Sequence, residues 1–252
     1  MQPEKIRAPE VEEHLRKLAP DAVVIIAYGQ IIPKRLLSVP LLGWINLHAS
    51  LLPKYRGAAP IHWAIANGET VAGNTTMRID AGMDTGEMLL RQEMPIGPDE
   101  TSIELAARLA EAGAPLMTET LRRLTKGELH GRPQNQAEAT LAPILKRQDG
   151  RIDWSRAAEE VYNRMRGFAP WPGAYTEFRG RTCHLWGKPV SAQRADGPPG
   201  TLLLSKDGFR VICGGSSQLE ISFVKQEGRK QISAAEFQRG TRLHAGEHFG
   251  TP

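Results

Sequence analysis

Two short apolar runs constrain the fold of this chain more than any other feature of its sequence. The run "AVVIIAYG" (22–29) follows a segment with helical spacing of apolar residues, and "WINLH" (44–48) follows a connection punctuated by prolines. Apolar, β-branched runs of this kind are typical of strands buried on both faces of a parallel sheet. A capped helix is predicted from Thr101 to Lys126. The alternation of strands and helices predicts an open, mostly parallel, Rossmann-like α/β sheet.

The pattern changes after this helix. Residues 127–150 are polar and rich in punctuating residues, which predicts a linker lying over the first domain. The segment "IDWSRAAEEVYNRMRGF" (152–168) then predicts a helix, and four or five short strands with Gly-rich turns follow it. Such strands favour a small antiparallel barrel of the OB type. We therefore predict a first domain over residues 1–126, a linker over 127–150 and a second domain over 151–252.

Composition excludes several classes of protein. No apolar run reaches about 18 residues, so a membrane span is not expected. The first residues, "MQPEKIRAPEVEEHLRK", have no apolar core and do not resemble a signal peptide. Cys183 and Cys213 are too few and too far apart for a disulfide framework or a zinc cluster. These features favour a location of the protein in the reducing cytoplasm.

The net charge of +4 is unevenly distributed along the chain. Residues 1–149 hold 17 Lys and Arg against 18 Asp and Glu, whereas residues 150–252 hold 15 against 10. The excess of positive charge in the second part is compatible with a polyanionic partner, and equally with ordinary solubility charge.

Polar side chains stand where the second apolar run ends. Asn46 and His48 lie two residues apart, and therefore on the same face of a strand. Asp84 follows the next strand, so all three can converge beyond the carboxyl end of the sheet. An Asn amide can bind a developing oxyanion, a His can act as general base or acid, and an Asp can orient that ring. Without a Ser or Cys nucleophile beside them, these groups suit attack on a carbonyl carbon by the substrate's own nucleophile.

A purely structural interpretation remains open, in which Asn46 and His48 are satisfied core polar groups. A metal site is not expected, because Asn is a poor ligand for transition metals and no second His lies nearby. His62 is expected on the surface of its helix. In the loop "SLLPKYRGAAP", Lys54 and Arg56 could meet carboxylates or phosphates, or could simply be solvated.

The stretches "INLHASLLPKYRGAAPIHWAIANGE" and "MDTGEML" closely resemble the folate-dependent formyltransferases. Downstream, "GRIDWSR" and "GFAPWPGAY" are similar to the members that act on methionyl-tRNA, and the resemblance covers essentially the whole chain. It implies transfer of a formyl group from 10-formyltetrahydrofolate to the α-amine of methionyl-initiator tRNA, without a metal. A cytoplasmic monomer that binds folate and tRNA, with no membrane contact, is expected.

The resemblance also implies roles for residues. Asn46, His48 and Asp84 match the catalytic Asn, His and Asp of the family. The tetrahydrofolate-binding loop corresponds to Ser50, Leu51, Leu52 and Pro53. Apolar walls for the pterin would come from Ala27 and Tyr28 and from the loop between Asp80 and Gly82. Lys146, Arg147 and the second domain would hold the tRNA backbone.

The beginning of the chain departs from the family pattern, and this departure leaves alternative functions open. Family members begin with a strand, a glycine-containing loop, a further strand and an insertion that contacts tRNA, and nothing here matches them. The opening helix is thus a crossover without an earlier strand, and we expect the first domain to be partial. The alternatives are a formyltransferase for another amine, such as a sugar nucleotide, and an inactive, truncated tRNA-binding remnant.

Overall fold

The computed structural model describes residues 2–191 and 194–250, and its contacts divide the chain into two compact units. The first unit comprises Met1–Ala64, Glu69–Pro98 and Glu104–Ile144, and the second comprises Ile65–Gly68, Asp99–Ile103 and Leu145–Pro252. No helix in the described ranges is long and apolar enough to cross a membrane.

The sheet of the first unit has four strands in the order β1-β2-β3-β4. These are β1 (Val23–Ile25), β2 (Trp44–His48), β3 (Val71–Arg78) and β4 (Met88–Pro95). Strands β1 and β2 are parallel, whereas β2–β3 and β3–β4 are antiparallel. The open α/β sheet is confirmed, but it is mixed rather than mostly parallel. The nine-residue loop 79–87 between β3 and β4 forms a hairpin connection, which reverses the direction of the chain.

Strand β1 is shorter than its apolar run predicts. It ends at Ile25, and the backbone turns at Ala27 and Gly29, where φ is +48° and +72°. Positive φ is incompatible with a strand, so the second half of the run leaves the sheet as a loop.

Four helices flank or precede these strands. They are α1 (Pro9–Leu18), α2 (Lys34–Leu37), α3 (Pro60–Ala66) and α4 (Ser102–Thr125). The predicted helix from Thr101 to Lys126 is thus confirmed as α4. Gly113 lets α4 approach β2 closely, because a Cβ on this residue would lie 2.5 Å from Cδ2 of Leu47.

Strand β2 is buried on both faces, as its apolar run predicts. Trp44 packs with Ile6, Val11 and Leu36 on one face of the sheet. Ile45 packs on the other face, in a cluster that includes Met117 of α4. Burial on both faces fixes the position of β2, and therefore of the polar residues at its end.

The second unit is an antiparallel sheet with two helices. Its elements are α5 (Ala158–Gly167), β5 (Tyr175–Phe178), β6 (Arg181–Pro189), β7 (Leu202–Ser205), β8 (Gly208–Ile212), β9 (Gln218–Gln226), β10 (Ile232–Ser233) and α6 (Ala234–Thr241). The strand order is β5-β6-β9-β8-β7, with β10 on β9, and the arrangement of β6 to β9 is a Greek key. The predicted helix over 152–168 begins later, since Asp153 first forms a turn by accepting hydrogen bonds from the Ser155 N–H and hydroxyl.

Residues 246–250 connect the two edge strands of this sheet. The N–H of Gly250 donates to the carbonyl of Glu177 on β5, at 2.8 Å. The N–H of Phe249 donates to the Gly200 carbonyl, and Leu202 at the start of β7 donates to the Glu247 carbonyl. The strand order and this bridging segment agree with the predicted OB-like barrel, which is a partly open Greek-key barrel.

Candidate active site

A cavity of about 720 Å³ lies in the first unit, at the carboxyl ends of β1 and β2. Its lining comes chiefly from residues 25–32, 46–49, 57–62 and 79–84. Its volume is within the range of small-molecule sites, about 300–1,000 Å³. Ligand sites of open α/β sheets lie at this edge of the sheet, so this cavity is the candidate active site.

Asn46 and His48 both line this cavity, as the alternation of side chains along β2 predicts. Asn46 is half-buried, and its side-chain amide has no hydrogen-bond partner within residues 2–191 and 194–250. His48 is only 5% exposed. The strand therefore presents one unengaged amide donor and one buried imidazole to the same space.

The imidazole of His48 is held between a carbonyl and a carboxylate. Its Nε2 lies 2.9 Å from the carbonyl oxygen of Tyr55, and its Nδ1 lies 3.8 Å from Oδ2 of Asp84. A carbonyl oxygen only accepts, so Nε2 carries a hydrogen and donates it to Tyr55. Nδ1 is therefore the nitrogen that carries no hydrogen in the neutral ring, and it faces Asp84.

The carbonyl of Tyr55 reaches His48 because this residue has a left-handed backbone, with φ +61°. Its N–H donates to Oγ1 of Thr140 at 2.9 Å, and its hydroxyl donates to Oε1 of Glu69 at 2.9 Å. Hydrogen bonds at both ends of the residue hold a conformation that a non-glycine residue rarely adopts.

Asp84 has a similar constraint, with φ +51°. Its Oδ2, the atom that faces His48, accepts a hydrogen bond of 2.9 Å from the N–H of Gly57. Gly57 has φ +122°, and a Cβ there would lie 2.6 Å from the carbonyl oxygen of Ala142. Glycine is thus required at this position for two reasons, its backbone angle and the close approach of the neighbouring chain.

The four residues predicted to bind folate, Ser50 to Pro53, do not line this cavity. Ser50 is buried and donates from Oγ to the carbonyl of Lys54 at 2.6 Å. Leu52 is fully buried, and its N–H donates to Oγ1 of Thr75. The loop is bonded to Thr75, the residue of β3 that pairs with His48, and direct folate contact by these four residues stays a prediction.

The walls predicted for the pterin do line the cavity. Tyr28 is part of the lining and is 40% exposed, and residues 80–84 form another part. Within that loop, Oδ1 of Asp80 accepts hydrogen bonds from the N–H of Gly82 and from Oγ1 of Thr85, at 2.9 and 2.7 Å. These local bonds keep the Asp80 carboxylate engaged with its own loop.

The two charged residues of the loop 50–60 have different surroundings, and only those of Arg56 depart from the prediction. Arg56 is only 5% exposed, and its guanidinium donates to the side chains of Gln134 and Gln136 rather than to a ligand. Lys54 is exposed and lies 3.2 Å from a carboxylate oxygen of Glu69. The Arg56 side chain turns inward because its backbone is bonded to the segment that carries these glutamines, through Thr140 and Ala142.

His62 is a residue whose placement the sequence misjudged. We expected it on the surface of its helix, but it is half-buried and lines the cavity. Burial lowers the pKa of its imidazole below the usual value of 6.5. Gln134 was missed altogether, since a polar residue in a polar segment gives no periodic signal.

No group of three or more His, Cys, Asp or Glu side chains suited to a metal ion occurs among residues 2–191 and 194–250. Cys183 and Cys213 are both buried as free thiols in the second unit. Burial raises the pKa of the Cys183 thiol to about 11 and that of the Cys213 thiol to about 12. Both are therefore uncharged, structural residues at neutral pH.

The beginning of the second unit carries exposed positive charge. Lys146, Arg147 and Arg151 are exposed, and their side chains form no ion pair with any residue that the structure describes. Unpaired cations of this kind are available to bind a polyanion.

Both parts of the chain match family models for formyltransferases. Residues 1–121 match the model described as "Formyl transferase", and residues 144–242 match "Formyl transferase, C-terminal domain". The two matches together place the chain in the class of formyltransferases.

Curated relatives identify the family within the class of formyltransferases. The methionyl-tRNA formyltransferase of Solibacter usitatus is 51% identical over 250 residues, which cover 99% of this chain and 79% of the relative. Those of Koribacter versatilis and Geobacter metallireducens are 51% and 49% identical, with 99% of this chain and 80% of each relative covered. The chain belongs to the methionyl-tRNA formyltransferase family, which is a family of transferases.

Solved structures share the fold at low sequence identity. HypX from Aquifex aeolicus, in complex with tetrahydrofolic acid, matches with a TM-score of 0.65 and 17% identity, over 97% of this chain and 45% of HypX. WlaRD, a sugar 3N-formyl transferase, matches with a TM-score of 0.63 and 17% identity, over 86% of this chain and 77% of WlaRD. The formyltransferase fold predicted from the sequence is therefore confirmed.

Proposed function

We propose that this protein transfers the formyl group of 10-formyltetrahydrofolate to the α-amine of methionine esterified to initiator tRNA. The observation that carries the proposal is the convergence of Asn46, His48 and Asp84 on one cavity. Its support in sequence is the identity of 44–51% to methionyl-tRNA formyltransferases over 96–99% of the chain.

Asn46 stabilises the negative charge that develops on the formyl oxygen when the amine attacks. Its amide is half-buried and has no hydrogen-bond partner within the described residues, so its donors are available to a ligand. A donor that is already in place costs no reorganisation at the moment of reaction. The amide is also uncharged, so it does not compete with the substrate for a proton.

His48 moves the proton that the reaction must transfer. The amine nitrogen forms a bond to the formyl carbon, the bond from that carbon to the folate nitrogen breaks, and the proton passes from the amine to the leaving nitrogen. Nδ1 of His48 can accept and return this proton, while Nε2 remains bonded to the carbonyl of Tyr55. Asp84 stabilises the ring during the interval in which it is protonated.

The cavity fits the folate donor in size and chemistry. Its volume of about 720 Å³ and its lining of apolar side chains and loop backbone suit a flat heterocycle. We place the pterin between Ala27 and Tyr28 on one side and the loop from Asp80 to Gly82 on the other, as the resemblance to the family implies. The donor supplies the activated formyl carbon, and the protein supplies position and charge stabilisation. Folate contact by Ser50 to Pro53, which do not line this cavity, stays a prediction.

The tRNA is bound by the second domain and the linker in this proposal. We assign residues 1–126 to the catalytic domain, 127–150 to the linker and 151–252 to the tRNA-binding domain. The exposed Lys146, Arg147 and Arg151 and the positive excess of residues 150–252 support a contact with the phosphate backbone. A monomer in the cytoplasm, where charged tRNA is found, is the expected working form.

A direct assay tests the function. The chain is mixed with 10-formyltetrahydrofolate and either methionyl-initiator tRNA or an amino-sugar nucleotide, and formylated product is measured. We expect transfer to the tRNA and none to the sugar, and loss of transfer in His48→Ala. Transfer to the sugar alone would replace this function with the alternative. Binding of tRNA without folate binding or transfer would identify a tRNA-binding remnant.

A further inference from the structure

The side chain of Gln134 connects two loops of the active site. Its Oε1 accepts hydrogen bonds from Nε and Nη2 of Arg56, at 2.9 and 2.7 Å. Its Nε2 donates to the backbone carbonyls of Asp84 and Gly86, both at 2.8 Å. The orientation of the amide is fixed, because the reverse would set its NH₂ against the guanidinium.

Arg56 is an unusual partner for this glutamine. It is buried, yet no carboxylate lies within ion-pair distance of it among residues 2–191 and 194–250. Its three side-chain hydrogen bonds go to the amide oxygens of Gln134 and Gln136. A buried charge that is held only by neutral groups is costly, so both glutamines are constrained to remain in place.

The bonds to Asp84 act on its backbone rather than on its carboxylate. The carboxylate itself has one hydrogen bond, from the N–H of Gly57, and faces His48 at 3.8 Å. The direction of so short a side chain is set by its backbone, which here has a positive φ of 51°. Two hydrogen bonds from a buried side chain, to the carbonyls of residues 84 and 86, hold that backbone in place.

We propose that Gln134 is a positioning residue of the active site, which holds Asp84 against His48 by tying the 84–86 backbone to buried Arg56. The proposal deepens the proposed function and rests on it for its kinetic consequence. It assigns a role in catalysis to a segment that the sequence predicted as a linker. Gln134 is 7% exposed and does not line the cavity, so it acts through Asp84 and not on the substrate.

Two glutamines of the same segment provide a matched pair of variants. Gln134→Glu keeps the size of the side chain and its acceptor for Arg56, but removes both donors to the carbonyls of Asp84 and Gly86. Gln136→Ala removes one bond to Arg56 and leaves Asp84 untouched. Gln134→Met, of similar size and without polar atoms to bond either partner, is the second variant should the glutamate perturb folding.

The kinetic test is a double-mutant cycle with Asp84→Asn. We expect Gln134→Glu to lower kcat for formyl transfer by about 10- to 100-fold, because small misplacements of a catalytic group have effects of this size. In the Asp84→Asn background, the same change should cost less than about threefold. Gln136→Ala should cost less than about threefold in the native background. Equal losses from Gln134→Glu in both backgrounds would overturn the proposal, since they would indicate a general structural role.

A second measurement does not depend on activity. The amide hydrogen of Gly57 is bonded to the Asp84 carboxylate, so its exchange with solvent, followed by NMR, reports the position of Asp84. We expect exchange at least about tenfold faster in Gln134→Glu, and unchanged in Gln136→Ala. Unchanged exchange in Gln134→Glu would overturn the proposal. If the native chain failed to formylate methionyl-tRNA, the proposed function would be wrong, and this exchange would still decide the positioning role.

Discussion

The two sides of the active site are built in different ways. The reactive side chains, Asn46 and His48, stand on a strand that is buried on both faces. The groups that orient His48, which are the Tyr55 carbonyl and the Asp84 carboxylate, stand in loops with positive φ. The strand sets the spacing of its residues by geometry alone, whereas each loop needs several specific hydrogen bonds to hold its conformation.

This difference predicts which substitutions should lower catalytic activity alone and which should also lower the stability of the fold. A change at the end of β2 removes a reactive group, but the strand is held by its apolar core. A change in the loops alters the orientation of a reactive group and also releases hydrogen bonds that stabilise the fold. The following predictions separate these two effects, and they are ordered by their expected size.

Asn46→Ala should have the largest effect on activity and almost none on stability. Loss of one oxyanion donor costs about 2.7–4 kcal/mol in the transition state, so kcat should fall by about 100- to 1,000-fold. The side chain has no hydrogen bond within the described residues, so the free energy of unfolding should change by less than about 1 kcal/mol. Steady-state kinetics and urea unfolding measure the two quantities. A loss of activity below about tenfold would contradict the assigned role.

Gly57→Ala should affect both activity and stability, because this residue belongs to a loop. The new Cβ would lie 2.6 Å from the Ala142 carbonyl, at a residue with φ +122°. We expect a loss of about 3 kcal/mol in the free energy of unfolding. We also expect at least a tenfold loss of kcat, about 1.4 kcal/mol, because the Gly57 N–H moves away from Asp84.

Gly127→Ala is the matched control for this change. Gly127 also has a positive φ, of 70°, but a Cβ there would meet nothing within 4 Å. Gly127→Ala should lower the free energy of unfolding by about 1 kcal/mol, because of the backbone angle alone, and should leave kcat unchanged. Equal effects of the two alanines on stability would show that the contact with Ala142 is unimportant.

Thr140→Val should have a smaller effect of the same kind. The N–H of Tyr55 would lose its bond to Oγ1 of Thr140, at a cost of about 1 kcal/mol in unfolding free energy. Because the Tyr55 carbonyl orients His48, kcat should also fall by a few-fold. Thr140→Ser keeps the hydroxyl and should restore both values. If the serine variant behaves like the valine variant, the hydroxyl is not what holds Tyr55.

The sequence predicted the strand side of the site well and the loop side poorly, for a physical reason. The convergence of Asn46 and His48 on one cavity follows from strand periodicity, and β2 itself from its apolar run. The inward turn of Arg56 and the role of Gln134 depend on hydrogen bonds between residues 78 positions apart. Contacts of such long range leave no periodic signal, so polar residues in a polar segment are read as solvated.

The smallest predicted effect concerns His62, which should contribute to the pH dependence of the unfolding free energy. Burial lowers its pKa in the folded protein below the value near 6.5 expected when unfolded. The unfolded state therefore binds the proton more readily, and this contribution to stability is present above pH 6.5 and lost as the pH falls toward the folded pKa. The native protein should lose unfolding free energy below pH 6.5, and His62→Gln should lose less of it. Urea unfolding at a series of pH values measures both proteins. If His62→Gln kept the native profile, the lowered pKa of His62 would be wrong.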